Sequence, residues 1–181
     1  MRKVILDLAV SLDGFIEGPN GEIDWLAGDG GGQGLLDFIN SIDTIFYGRQ
    51  SYDLWGNYET NESTSEFESK LWEAVHSKRK IVFSHGPAKD ELAEWISTDL
   101  VERVKQFKEQ PGKDIWLYGG ASLITSFMNE GLIDVYRLST FPVVLGAGKP
   151  LFTDIQKRIN LKLTGVNTGE SGVVQLIYEP A

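Results

Sequence analysis

WLYGGASL (residues 116–123) closes one kind of secondary structure and opens another. The apolar run 115–118 has the character of a strand, and Leu123, Ile124, Phe127 and Met128 then recur at helical spacing. Between them stand Gly119 and Gly120. Two explanations compete for the pair. The glycines make only a tight turn from strand to helix. Alternatively, they let the backbone approach a bound phosphate at the helix N-terminus, where N–H groups without helical partners and a partial positive charge gather.

The same rhythm runs outward in both directions. Strands are expected at 3–10, 44–47, 80–84, 95–97, 114–118 and 134–141, and helices at 35–42, 65–77, 100–109 and 121–129, with a helical start at 49–54. Residues 142–148 read as a loop. Two last strands, 161–167 and 173–179, are joined by the turn Thr168-Gly169-Glu170-Ser171-Gly172. Alternation of strand and helix predicts an α/β fold of three layers, a mostly parallel central sheet with helices on both faces. The terminal hairpin adds an antiparallel edge. No repeat or linker interrupts the pattern, so residues 1–181 are expected to form a single domain.

Composition narrows the function. A chain of 181 residues can bury a sizeable core without covalent staples. It has no cysteine, which excludes disulfides and thiolate metal sites, and its two histidines exclude a histidine-rich metal centre. The net charge of −9 argues against a nucleic-acid binder, which would carry a basic stripe. The start MRKVILDLAV is too short for a signal peptide, and no run approaches the ~20 apolar residues of a membrane span. A cytoplasmic protein is expected, without metal, membrane or nucleic-acid partner.

In an open α/β sheet, ligands bind beyond the carboxyl ends of the strands. Four such ends carry polar or glycine-rich residues: Ser11-Leu12-Asp13-Gly14, Gly48-Arg49-Gln50-Ser51, Ser84-His85-Gly86 and Gly119-Gly120-Ala121-Ser122. The second and fourth suit phosphates, since glycine admits close backbone approach, Arg49 offers a fork of donors, and Ser51 and Ser122 add hydroxyls. Taken singly, each has a plain structural reading: a turn, a helix cap, a surface ion pair. Neither Walker nor GxGxxG spacing is present. The glycine-rich run 28–34 lacks a phosphate-loop lysine and reads as a mobile loop. Trp25 is placed to stack on a planar ring or to pack a core or lid. Asp37, in the apolar face of a short helix, would hold ring nitrogens or shuttle a proton; on the helix's other face it would simply be solvated.

SLDGFIEG, IDWL, IFYGRQSYD, IVFS, WLYGGASLI and FPVVLGAGKPLF, in this order, give the chain a resemblance to the dihydrofolate reductase-like superfamily over nearly its whole length. It looks closest to the reductase domain of the bifunctional riboflavin-biosynthesis deaminase/reductase. The resemblance implies an NADPH-dependent oxidoreductase and a homodimer. It puts Gly48, Arg49 and Ser51 on the cofactor phosphates, Ser84 near the adenosine 2′-phosphate, and Gly119, Gly120, Ala121 and Ser122 around the pyrophosphate. Gly146 and Lys149 would lie on the substrate side with Trp25, and Asp13 and Asp37 are the candidate catalytic carboxylates. The implied activity is reduction of a small heterocycle of the 5-amino-6-(5-phosphoribosylamino)uracil type. A dihydrofolate or pterin reductase, or a nucleotide-binding module without turnover, is the alternative. The sequence departs from dihydrofolate reductases in setting Trp25 and Asp37 twelve residues apart across a glycine-rich insertion, and it carries no deaminase segment.

Overall fold

The first strand, Val4–Ser11, is apolar on both sides because it runs through the middle of the molecule. Val4, Leu6 and Val10 enter one buried cluster and Ile5 enters another, as alternation across a sheet requires. The computed structural model describes residues 1–26, 32–169 and 171–181. In chain order the elements are β1 (Val4–Ser11), β2 (Phe15–Glu17), α1 (Gly32–Ser41), β3 (Ile42–Gly48), α2 (Arg49–Ser51), α3 (Glu66–His76), β4 (Arg79–Phe83), β5 (Glu94–Ile96), α4 (Leu100–Glu109), β6 (Asp114–Gly119), α5 (Ala121–Asn129), β7 (Val135–Phe141), β8 (Lys149–Pro150), β9 (Leu161–Thr168) and β10 (Val174–Pro180). A 3-10 turn covers Asp24–Leu26, and α2 runs on as a π-helical turn, Tyr52–Gly56.

Eight strands form one sheet in the order β5-β4-β3-β6-β1-β7-β10-β9. Strands β1, β3, β4, β5, β6 and β7 pair in parallel, and β10 runs antiparallel to both β7 and β9. The expected mostly parallel sheet with an antiparallel C-terminal hairpin is thus the observed one. Two features differ from the expectation. Residues 149–150, which follow the stretch read as a loop, pair with β2 as a small second sheet. The short helix ends at Ser41, and Ile42 already belongs to β3. Of the glycine-rich run, 28–31 lie outside the described residues, whereas Gly32 and Gly34 open α1.

Helices cover both faces. On one, Val104 and Phe107 of α4 and Leu123, Ile124, Phe127 and Met128 of α5 pack against Leu6, Phe46, Ile81 and Leu117. On the other, Phe38 and Ile39 of α1 and Val75 of α3 pack against Ile5, Ile45, Val82 and Trp116. The caps follow familiar chemistry: the Ser65 hydroxyl accepts from the Glu68 N–H while the Glu68 carboxylate accepts from the Ser65 N–H, which fixes the start of α3. At the amino end of the sheet the buried Arg2 guanidinium pairs with Asp43 and donates to the Thr44 hydroxyl at 2.7 Å, locking the feet of β1 and β3 together.

The connections set the position of the crevice. The chain leaves β1 over the α1 face and leaves β6 over the α5 face, although β1 and β6 are neighbours. Where adjacent parallel strands send their connections to opposite faces, a crevice opens at their carboxyl ends. Phe46 is the keystone of the opposite layer, edge-on to Phe83, Phe107 and Phe127 at 5.2, 5.4 and 5.9 Å. Phe46→Ala is expected to cost about 3–5 kcal/mol of unfolding free energy, measured as a lowered urea midpoint at unchanged slope.

Candidate active site

At the rim the carboxyl ends of β3 and β6 nearly touch. A Cβ on Gly48 would lie 3.2 Å from the Gly120 backbone nitrogen, and a Cβ on Gly120 would lie 3.0 Å from the Ser51 hydroxyl. Gly119 has φ +119°, a conformation that L side chains rarely adopt. The peptide bond between Gly119 and Gly120 is cis. Close packing of one rim loop on the other favours glycine at 48 and 120, and the positive φ favours it at 119, before any ligand is considered. The β3–β6 ladder also shifts register between Phe46 and Tyr47, where Leu117 and Gly119 are the partners, so Tyr118 is the extra residue of a bulge beside the glycines.

Two helical N-termini meet at this contact. Gly120 is the N-cap of α5 and no side-chain hydrogen bond caps it, so the first amides of α5, at Ala121 and Ser122, present donors along the rim. Ser51 comes from the end of α2. Arg49 begins α2 and is held in place from three sides. Its Nε donates to Asp53 at 3.1 Å, one terminal nitrogen donates to the Pro87 carbonyl at 2.9 Å, and the guanidinium lies 5.0 Å from the Trp95 ring centroid. Lys89 donates to the other Asp53 oxygen at 3.0 Å, and the hydrogen bonds from Lys89 and Arg49 hold the Asp53 carboxyl below its ordinary range. Ser84 accepts from the Gly86 N–H, and a Cβ on Gly86 would lie 3.6 Å from both the Ser84 hydroxyl and an Arg49 nitrogen. Arg49, Lys89, Ser84 and Gly86 thus form a second cluster beside the glycine contact.

The substrate-side candidates are placed differently. Asp13 accepts from the Ser11 hydroxyl at 2.7 Å and from the backbone N–H groups of Leu145 and Gly146 at 3.1 and 2.8 Å. The Ser11 bond, with the two amides, lowers its affinity for a proton. An ionised Asp13 therefore staples the 145–146 loop to the end of β1. Trp25 lies edge-on to Phe141 at 5.4 Å, at the end of β7. Lys149 pairs with the Glu17 carboxylate across the small second sheet, at an open depression that Gln50, Asn20 and Gly148 also line.

Asp37 is not brought to this rim set. It is exposed on α1 and accepts from Gln33 at 2.6 Å, because Phe38 and Ile39 take the sheet-facing positions of the helix. Of the two positions the sequence left open, the solvated one is observed. Among the described residues no group of three or more His, Asp or Glu side chains gathers to hold a metal ion, and no helix is long and apolar enough to cross a membrane.

Sequence reasoning missed Asp7 and Arg137. Asp7 is the charged residue within the apolar run of β1, a visible signal, but its partner comes from β7, 130 positions along the chain. Asp7 is 8% exposed, burial pushes its carboxyl up to about 6, and nearby Arg137 opposes that shift.

A dihydrofolate reductase-like sheet with its crevice at the β1/β6 ends defines the class of protein. Over residues 2–175 the sequence matches the RibD C-terminal domain, and the chain belongs to that family. It is 56% identical to the uncharacterized protein YyaP of Bacillus subtilis (strain 168), over 98% of this chain and 94% of YyaP. Its fold is similar to that of a putative riboflavin biosynthesis protein from Shewanella sp. PV-4, with a TM-score of 0.80 at 20% identity over 100% and 99% of the two chains. The Thermotoga maritima diaminohydroxyphosphoribosylaminopyrimidine deaminase/5-amino-6-(5-phosphoribosylamino)uracil reductase superposes with a TM-score of 0.72 at 17% identity, over 99% of this chain and 57% of that one. Enterococcus faecalis dihydrofolate reductase, complexed with NADP(H), gives 0.68 at 15% identity, over 98% and 96%.

Two measurements test this geometry. Gly120→Ala is expected to destabilise the protein, and adding Ser51→Ala should recover roughly 0.5–1 kcal/mol of the loss, read as the coupling in a double-mutant cycle. Asp13→Ala should speed amide exchange at Leu145 and Gly146. In the parent protein, protection should hold above the ordinary carboxyl value of 3.8 and fade as pH falls through the lower folded value, because protonation removes the acceptor.

Proposed function

We propose that the chain is an NADPH-dependent reductase of a small heterocyclic substrate, of the 5-amino-6-(5-phosphoribosylamino)uracil reductase type. The reading is carried by one observation: the uncapped start of α5, the Gly119-Gly120 backbone, the Ser51 hydroxyl and a pre-positioned Arg49 converge on one rim. That donor set fits a dinucleotide. The Gly119–Ser122 backbone with Gly48 and Ser51 would hold the pyrophosphate, and Arg49 with Ser84 and Lys89 would meet the adenosine-side phosphate. The family membership and the NADP(H)-bound dihydrofolate reductase among the similar folds support it.

When bound, the cofactor supplies hydride to an electron-poor ring carbon. The protein's own work is placement. Asp13 holds the 145–146 loop, and Trp25 against Phe141 forms an aromatic wall at the substrate side. Asp13, stabilised as a carboxylate, serves as an anchor and not as a proton source. Lys149 is already paired with Glu17, which favours a substrate without a phosphate, such as a pterin, as the second reading. A homodimer and a cytoplasmic location belong to the same proposal; exposed Leu163 and Val166 on the edge strand β9 offer apolar surface for a second copy.

Titration with NADPH and NADH, followed by tryptophan fluorescence, tests the cofactor assignment. The protein should bind NADPH more tightly than NADH. Arg49→Ala should weaken NADPH by roughly tenfold or more, the loss of a charge-assisted contact, and leave NADH nearly unchanged. Equal losses would remove Arg49 from the phosphate, and no nucleotide binding would end the reductase reading.

A further inference from the structure

Residues 84–93, between β4 and β5, contain neither helix nor strand. Yet this loop supplies Ser84 and Lys89 to the proposed phosphate site. Side chains tie it to the helical turn that carries Arg49. Arg49, Tyr52 and Asp53 stand at i, i+3 and i+4, on one face of that turn. Arg49 donates to the Pro87 carbonyl at 2.9 Å, and Lys89 donates to Asp53 at 3.0 Å. The third tie joins the Tyr52 hydroxyl to Asp90, 3.0 and 3.2 Å from its two carboxylate oxygens.

The three ties are not equivalent. The first two use the cations themselves, so a bound phosphate would compete for Arg49 and Lys89. The tie through Tyr52 and Asp90 uses neither. Tyr52 is buried, and burial pushes its hydroxyl up to about 12, so the phenol stays protonated and donates to Asp90. The same hydroxyl accepts from the Asn57 side chain at 3.1 Å, and Asn57 accepts from Lys80 of β4 at 2.9 Å. The Asp90 carboxylate also accepts from the Leu92 N–H, and the Asp90 carbonyl accepts from the Trp95 indole N–H, both at 3.0 Å. Trp95 lies edge-on to Tyr52 at 5.3 Å, and its ring centroid is 5.0 Å from the Arg49 guanidinium. Asp90 is thus the point where the loop, the Arg49 turn and β5 are fastened together.

We propose that Asp90 and Tyr52 are positioning residues for the cofactor's adenosine-side phosphate: their hydrogen bond fixes the 84–93 loop against the Arg49 turn and so sets the spacing of Arg49, Ser84 and Lys89. This rests on the reductase reading and deepens its cofactor site. The expected sign is opposite to that of simple electrostatics. Asp90 is a carboxylate next to Lys89 in the chain, and by charge alone its loss should tighten the binding of a phosphate. Loss of a positioning group weakens that binding instead.

The test is calorimetry with NADPH and NADH on the full chain and its Asp90→Ala, Asp90→Asn and Tyr52→Phe variants. Asp90→Ala should weaken NADPH by roughly three- to tenfold, the scale of one hydrogen bond, and leave NADH nearly unchanged. Asp90→Asn, which keeps an acceptor oxygen, should recover most of the loss. Tyr52→Phe, which alters no charge, should also weaken NADPH, and combining it with Asp90→Ala should add little, because both remove the same contact. Amide exchange without nucleotide should quicken at residues 88–92 in Asp90→Ala and Tyr52→Phe. With NADPH preferred by the wild-type protein, three results would each overturn the positioning role: unchanged or tighter NADPH binding in Asp90→Ala, a loss shared equally by NADH, or unchanged exchange in the loop. Wild-type protein that binds neither nucleotide would overturn the reductase reading, and the positioning role with it.

Discussion

Strand β6 lies between β1 and β3, and its carboxyl end has to share the rim with theirs. The consequence is a tight backbone-to-backbone contact, in which a Cβ on Gly48 at the end of β3 would lie 3.2 Å from the nitrogen of Gly120 at the start of α5. That contact sets the entry of α5, brings Ser51 over the glycine pair, and puts the start of α2 beside the start of α5. Since β1 and β6 send their connections to opposite faces, the same place is also the mouth of the crevice. The packing demand therefore falls where the topology opens the crevice. The glycines answer that demand, Gly119 through its positive φ and Gly120 through its close approach to Ser51.

Around that contact the protein uses its charged groups in two ways. At the rim they are exposed and mutually compensated: Asp53 is shared by Arg49 and Lys89, Glu17 is paired with Lys149, and Asp13 is spent on two loop amides. Such groups give position at little energetic cost. Inside the sheet, Asp7 and Arg137 are desolvated and incompletely bonded, which costs stability. The strand that carries Asp7 is otherwise largely apolar, and apolar layers pack on both sides of the sheet, with Phe46 in one and Trp116 in the other.

Membership in the RibD C-terminal domain family explains why the fold resembles both riboflavin-pathway reductases and dihydrofolate reductase. A shared scaffold does not by itself carry a substrate. On the α1 face an ion pair joins the adjacent strands β1 and β7, and Trp25 packs edge-on to Phe141 at the end of β7. The chain spans 57% of the length of the Thermotoga bifunctional enzyme.

The sequence by itself determined the alternation of strands and helices, the parallel sheet with its terminal hairpin, and the rim loops at Gly48 and Gly119. These follow from local signals: apolar periodicity and glycine at a strand end. Helices 100–109 and 121–129 are observed with the boundaries their periodicity implied. The small β2–β8 sheet was not legible, because two residues of strand carry no periodicity and their pairing is made across the rim. Nor was the face on which Asp37 would fall, since rotation of α1 is fixed by what Phe38 and Ile39 find beneath them. Only the tertiary structure decided that Asp7 and Arg137 meet, that Lys149 is taken by Glu17, and that Asp13 anchors a loop. Each of these depends on a partner more than a hundred residues away, and no local pattern in a chain encodes which distant backbone will lie beside it.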